Sequence, residues 1–433
     1  MLSQKIDGLK KGTYDGKIQV LFHLAIAGLI VLGVVNSIFS LAAFALMSAY
    51  IIMSKPKEIF YVLFFIMPFA CIFKMSAAST SFFTYIQIVA VAKLIFNRKN
   101  LDAIFLIFWM IFSAFLLLGS QGNYTVFIKQ AMILPLIYLF FSEKRIDVKS
   151  FVLNYANGLL LSSIIALFKD VIPNMSNYIL DERAYELETS VERFIGLYSD
   201  PNYYSLALIL ALSAIFVLYA YKRIGVSAYI YYGLIAFFGS QTVSKSFFLM
   251  FLFLSVVFVF ILIKNNKIKT SIVFFLLLCF GAYLVFSGKI PIFENVLERF
   301  AAAKGDDITT GRSGIWTKYS EFLFEKPWRI VFGSGIGTGY LGAAAHNTYI
   351  DFLYYYGILG TVLFLSTLFI ALTHCGSNKK NIANYLPLVC MLICFAFLSN
   401  LMYYDFVYTL IFVLFLLFSD LEQNKINNSV LHR

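Results

Sequence analysis

Apolar and polar positions in this chain fall into long blocks. Runs of roughly 16–24 apolar residues are separated by short polar segments, and a helix needs about 17–25 such residues to cross a bilayer. The pattern predicts crossings near 18–35, 38–54, 59–73, 81–96, 101–118, 126–141, 150–168, 203–221, 226–240, 246–263, 270–286, 348–372, 383–400 and 403–418. The total is twelve to fourteen, because the Asn36/Ser37 turn is tight, the ninth run is short, and the last pair is separated by only a few residues around Asn400 to Asp405. The expected fold is all-α and polytopic, in five parts: membrane helices in 1–168, a long loop at 169–202, central membrane helices in 203–286, a second long loop at 287–347, and membrane helices with a tail in 348–433.

The polar segments orient these crossings. Lys5, Lys10, Lys11 and Lys17 precede the first apolar run, and Lys55 and Lys57, Arg98 and Lys99, Lys144, Arg145 and Lys149, Lys222 and Arg223, Lys264, Lys267 and Lys269, and Lys379 and Lys380 fall between later ones. Starting from a basic cytoplasmic amino terminus, strict alternation sends every one of these clusters to the same side, which is the positive-inside pattern. Both termini are then cytoplasmic, and the two long loops are extracytoplasmic.

Composition changes the picture in one respect. The chain is 61% hydrophobic and 13% charged, with 48 Phe and 28 Tyr, against about 45–50% apolar and about 25% charged in soluble domains. A net charge of +11 would suggest nucleic acid in a soluble protein, but here its placement in short loops assigns it to membrane orientation, and no nucleic-acid partner is implied. Of the five cysteines, four lie in apolar runs and Cys375 beside a basic loop, so no disulfide framework is implied.

Candidate chemistry concentrates in the two long loops. Within 312–324, Arg312, Trp316, Tyr319 and Leu323 recur on one helical face, which places Arg312 on the inward stripe. Ile292, Phe293, Val296, Leu297 and Phe300 form a second stripe, beside Glu294, Glu298 and Lys304, with the character of an interfacial helix. His346 directly precedes Asn347 at an expected helix start, where the helix dipole favours a neutral imidazole able to accept a proton. The alternative is an interfacial His followed by an Asn that only caps. Arg193 precedes Asp200-Pro201-Asn202, a cap-and-turn signature, and its guanidinium either snorkels or binds phosphate bidentately. Lys245, among Ser240, Thr242, Ser244 and Ser246, is an ionisable group near a span end and suits a polar cavity.

Gly333, Gly335, Gly337 and Gly339 alternate in FGSGIGTGY. No Lys-Ser/Thr follows as in a P-loop, so the stretch is expected to be a flexible connector. The loop acids Asp181, Glu182, Glu186, Glu188, Asp306 and Asp307 lack the spacing of a cation loop. His23, His374 and His432 fall away from the outer face. No metal or other cofactor is therefore expected.

The stretches ERFIGLYSDPNYYS, Ser244-Lys245-Ser246, TGRSGIWTKYSEFLFEKP and GSGIGTGYLGAAAHNTYIDFLYYYGILG resemble those of the bacterial O-antigen ligase/polymerase family, over roughly residues 190–365. The resemblance implies a membrane C-type glycosyltransferase architecture in the cytoplasmic membrane, acting at its outer face on undecaprenyl-pyrophosphate-linked oligosaccharides as donor and acceptor, with a chain-length regulator as a further partner. It assigns Arg193, Lys245 and Arg312 to pyrophosphate and His346 to catalysis. Asp200, Asn202, Arg299, Asn347 and Tyr349 are further substrate-positioning candidates. Family members commonly carry Arg where this chain has Lys245. Polymerisation of repeat units into O-antigen or capsule is the expected function. Its alternatives are ligation of the glycan to lipid A-core and flipping of a lipid-linked sugar.

Overall fold

The computed structural model describes residues 2–98, 101–143, 146–179, 193–286, 312–373 and 382–419. Among the described residues every regular element is a helix, and β pairing is limited to one bridge between Leu341 and Ala343. Among the described residues six helices are long and apolar enough to cross a membrane: Ile18–Val35, Tyr124–Phe141, Val148–Ala166, Pro201–Ala220, Lys245–Lys264 and Thr348–Leu372. Six shorter apolar helices accompany them, at Ser37–Met53, Phe82–Phe96, Ala103–Leu118, Ile268–Gly281, Ala383–Phe395 and Phe406–Phe418. This is the architecture of a polytopic helical membrane protein.

Three expected crossings differ in form. The one near 59–73 is a helix only over Pro56–Ile66, tightening to a 3-10 turn at Met67–Phe69. Pro68 has no N–H to donate to the preceding turn, and Ser81 then binds the returning chain through the Ala70 carbonyl at 2.7 Å. The crossing near 126–141 is interrupted at Met132, between Tyr124–Ala131 and Ile133–Phe141, where Pro135 removes the bond to the Ala131 carbonyl. The crossing near 383–400 ends at Phe395, and helix resumes only at Phe406.

The chain forms two compact units. The first comprises Met1–Asn97, Leu153–Asp181 and Gly196–Ser199. In it Asn36 caps the second helix by accepting the Ile38 N–H at 3.1 Å, and the returning helix stacks Tyr50 on Phe22 at 4.1 Å. Gly158 lies so close to the Phe65 carbonyl that a Cβ would overlap it.

The second unit comprises Arg98–Val152, Glu182–Ile195 and Asp200–Arg433. Its centre is the Pro201–Ala220 helix, apolar on every face and 94% buried. The Ser227–Ser240, Lys245–Lys264, Leu386–Phe395 and Phe406–Phe418 helices pack around it. A helix apolar all round is buried in this way, and its Ser205 and Ser213 hydroxyls satisfy themselves on their own backbone, at Pro201 and Leu210. Nearby, the Thr348–Leu372 span contains a π-helical turn over Phe352–Tyr356, ending at Gly357 with φ +62°. It packs against Ala103–Leu118, Ile133–Phe141 and Pro327–Phe332.

Candidate functional site

All the described candidate residues lie in the second unit. Asp200 adopts an extended conformation and accepts the Asn202 N–H at 2.6 Å, while Pro201 occupies the first helical position, so the chain enters the central helix through an Asp-Pro cap. That entry buries Asn202, whose Oδ1 receives Arg193 Nη2 at 3.4 Å and Ser244 Oγ at 2.9 Å. Arg193 Nε also donates to the Thr242 carbonyl at 2.9 Å. One asparagine thus joins Arg193 to the Ser-Lys-Ser stretch, 51 residues further along the chain.

The turn that carries Lys245 is strained. Val243 is buried with φ +48°, a conformation that a β-branched residue rarely adopts. The Thr242 hydroxyl holds the turn, donating to Gly239 O at 2.7 Å and accepting from Ser244 N and Ser205 Oγ, both at 3.2 Å. Ser244 occupies the cap position but does not cap its own helix, because its hydroxyl is engaged by Asn202 and Ser246. Lys245 is the first residue of the helix Lys245–Lys264, half-exposed, and adds its charge to the positive end of the helix dipole.

A second turn carries His346. The helix Arg312–Glu325 buries Tyr319 and Leu323 and half-buries Arg312 and Trp316, so the inward stripe is present. Trp316 Nε1 donates to the Ala345 carbonyl at 2.8 Å, and the Tyr319 hydroxyl donates to Ala343 O at 2.9 Å while accepting Leu341 N–H at 3.3 Å. Burial pushes the Tyr319 phenol up, which keeps it a neutral donor. The chain then turns at His346, half-exposed with φ +50°. Asn347 caps the next helix by accepting the Tyr349 and Ile350 N–H groups at 3.0 and 3.2 Å. Tyr349 itself points its hydroxyl to Leu392 O at 2.8 Å.

The glycine-rich stretch is not a loose connector. A Cβ at Gly335 would lie 2.5 Å from the Gly119 carbonyl, one at Gly337 would overlap the Ser120 carbonyl, and one at Gly333 would lie 2.6 Å from Tyr355 O. These glycines let backbone seat on backbone, and Gln121 Nε2 closes the contact on Thr338 Oγ1 at 3.0 Å. Of the four, only Gly339 has open space around its missing Cβ.

Residues not singled out from sequence tie the two turns together. Tyr203, beside Asn202, donates to Ser399 O at 2.6 Å. Ser399 Oγ donates to buried Asp351 at 3.2 Å. Thr348, two residues beyond His346, donates to Leu398 O at 2.5 Å and accepts Asn400 N–H at 3.0 Å. The irregular segment 398–400 therefore receives side chains from both turns. The available signal was a run of polar residues, Ser399, Asn400 and Asp405, inside an apolar stretch.

Arg299, the stripe from Ile292 to Phe300, and the acids Asp181, Glu182, Glu186, Glu188, Asp306 and Asp307 lie outside the described residues, as do His374 and His432. Among the described residues no three His, Cys, Asp or Glu side chains are grouped to hold a metal ion. Chemically, the first turn offers a fixed guanidinium and an ammonium at a helix amino terminus, suited to an anion, and the second offers an accessible imidazole. No known protein family, no curated protein and no solved structure matches the chain.

Proposed function

We propose that the chain is a membrane glycosyltransferase that polymerises undecaprenyl-pyrophosphate-linked oligosaccharide repeats into O-antigen or capsular polysaccharide at the outer face of the cytoplasmic membrane. The observation that carries this reading is the junction at Asn202, which holds Arg193 beside the start of the Lys245 helix. A lipid pyrophosphate gains negative charge as its bond to the sugar breaks, and preorganised cations stabilise that charge where it develops.

In the proposed reaction the acceptor hydroxyl oxygen attacks the anomeric carbon of the donor and forms the new glycosidic bond. The anomeric carbon–oxygen bond to pyrophosphate breaks, and undecaprenyl pyrophosphate leaves with that electron pair. The hydroxyl proton passes to His346, giving one displacement with inversion. Arg193, Lys245 and Arg312 take the pyrophosphate. The half-exposed His346 beside a helix amino terminus suits the role of base, and the apolar helices around both turns suit a lipid tail.

Deletion of the gene followed by gel analysis of surface polysaccharide tests the reading. Loss of a polymerase leaves a product of single repeats. Lipid-linked polymer retained without transfer would instead identify a ligase, and accumulation on the cytoplasmic side would identify a flippase.

A further inference from the structure

The short helix Pro327–Phe332 is turned inside out. Trp328, Val331 and Phe332, spaced to share one face, are 53%, 43% and 51% exposed, whereas Arg329, its one charged residue, is 13% exposed. The Arg329 guanidinium lies over the Phe322 ring at 3.8 Å, donates to Phe322 O at 2.9 Å and pairs with Glu325. A helix against water buries its apolar face and turns its charges outward. The reverse arrangement is that of a helix against lipid, where ionisable groups face protein and find partners there.

The preceding helix marks where water ends. Arg312–Glu325 exposes Ser313, Thr317, Lys318, Ser320 and Glu321 and buries Tyr319 and Leu323, the ordinary pattern of a water-facing helix. Phe324, four residues before Trp328, is 73% exposed. The surface therefore changes from polar to apolar within a few residues, at the turn between the two helices.

Packing joins the apolar face to a membrane span. Gly357 lies so close to the Val331 carbonyl and the Gly333 N–H that a Cβ would overlap both. The Ser334 and Gly335 N–H groups donate to Tyr354 O and Tyr355 O at 2.7 and 3.2 Å. From Gly357 onward the span exposes Ile358, Leu359, Val362 and Leu365, the kind of surface a crossing helix gives to acyl chains. Six residues are too few to cross a bilayer, so the short helix extends that surface within one leaflet.

We propose that Phe324 and the helix Pro327–Phe332 are immersed among the acyl chains of the bilayer, in the leaflet on the side of the His346 turn, as an interfacial anchor. Arg312–Glu325 lies above it, against headgroups and water. The inference goes beyond the glycosyl-transfer reading and does not depend on it. Its consequence is positional: Trp316 and Tyr319 hold Ala345 O and Ala343 O, so the anchor keeps the His346 turn at the depth of the lipid headgroups.

The test uses full-length protein in nanodiscs of phosphatidylcholine, either plain or brominated near the ester end of its acyl chains. Trp328→Phe keeps an aromatic ring, and subtracting its emission from that of the native protein isolates Trp328 in each lipid. That emission should lose most of its intensity in the brominated lipid, and equal emission in the two lipids would overturn the proposal. A second measurement leaves Trp328 in place. Val331→Cys and Lys318→Cys, both exposed positions, are labelled in the plain nanodiscs with a charged thiol reagent, above the background of the native protein. The reagent must leave water to reach residue 331, so Val331→Cys should react about tenfold or more slowly. Equal rates would overturn the proposal. Slow labelling combined with equal emission in the two lipids would overturn it too, and would assign the face to a protein partner.

Discussion

His346 and Val243 are held in left-handed conformations, at φ +50° and +48°, that cost of the order of 1–3 kcal/mol each. His346 is itself assigned to the proposed chemistry and Val243 lies two residues before Lys245, and both turns are anchored by side chains from elsewhere: Trp316 on Ala345, and Ser205 on Thr242. The glycines act at the same scale. Gly337→Ala places a methyl against the Ser120 carbonyl, and overpacking of this kind costs about 1–3 kcal/mol. Gly339→Ala meets nothing within 4 Å and should stay within about 0.5 kcal/mol of the native protein. Thermal unfolding of the two purified variants checks the contrast. Arg193, Arg312 and His346 stood out in the sequence as candidates because ionisable side chains are sparse in so apolar a chain. The tight seats of Gly335 and Gly337 were not, since the opposing carbonyls of Gly119 and Ser120 lie more than 200 residues away.

At the scale of elements, caps decide where the two candidate turns end. Asn347→Ala removes the acceptor for two backbone N–H groups and should cost about 1 kcal/mol, read as a lower unfolding temperature. Arg193→Lys loses the geometry that reaches both Thr242 O and Asn202 Oδ1, because a point charge does not replace a planar fork. Its glycan elongation should fall well below that of Lys245→Arg, which keeps a cation at the helix start. Equal elongation by the two variants would remove Arg193 from its assigned role. The caps at Asp200 and Asn347 were readable because a cap is set by a few adjacent residues. The stop at Phe395 was not, because 398–400 stays irregular through bonds from Tyr203 and Thr348, which no local pattern encodes.

For the whole molecule, the apolar pattern was legible as helices because bilayer thickness imposes a length on the sequence itself. The placement of basic loops gives an expected sidedness. It predicts that Lys318→Cys is labelled in intact cells by a membrane-impermeant thiol reagent and Asn266→Cys is protected, both positions being exposed in the fold. The reverse pattern would put the candidate site on the wrong face. The central claim, glycosyl transfer at the His346 turn, is tested most directly by reconstituting purified protein in liposomes with undecaprenyl-pyrophosphate-linked repeats and resolving the products on a gel. The native protein should yield a ladder of polymer. His346→Ala, equally folded, should be slower by about 10²–10⁴, the usual worth of general acid–base assistance. A full ladder at the native rate from His346→Ala would contradict the account.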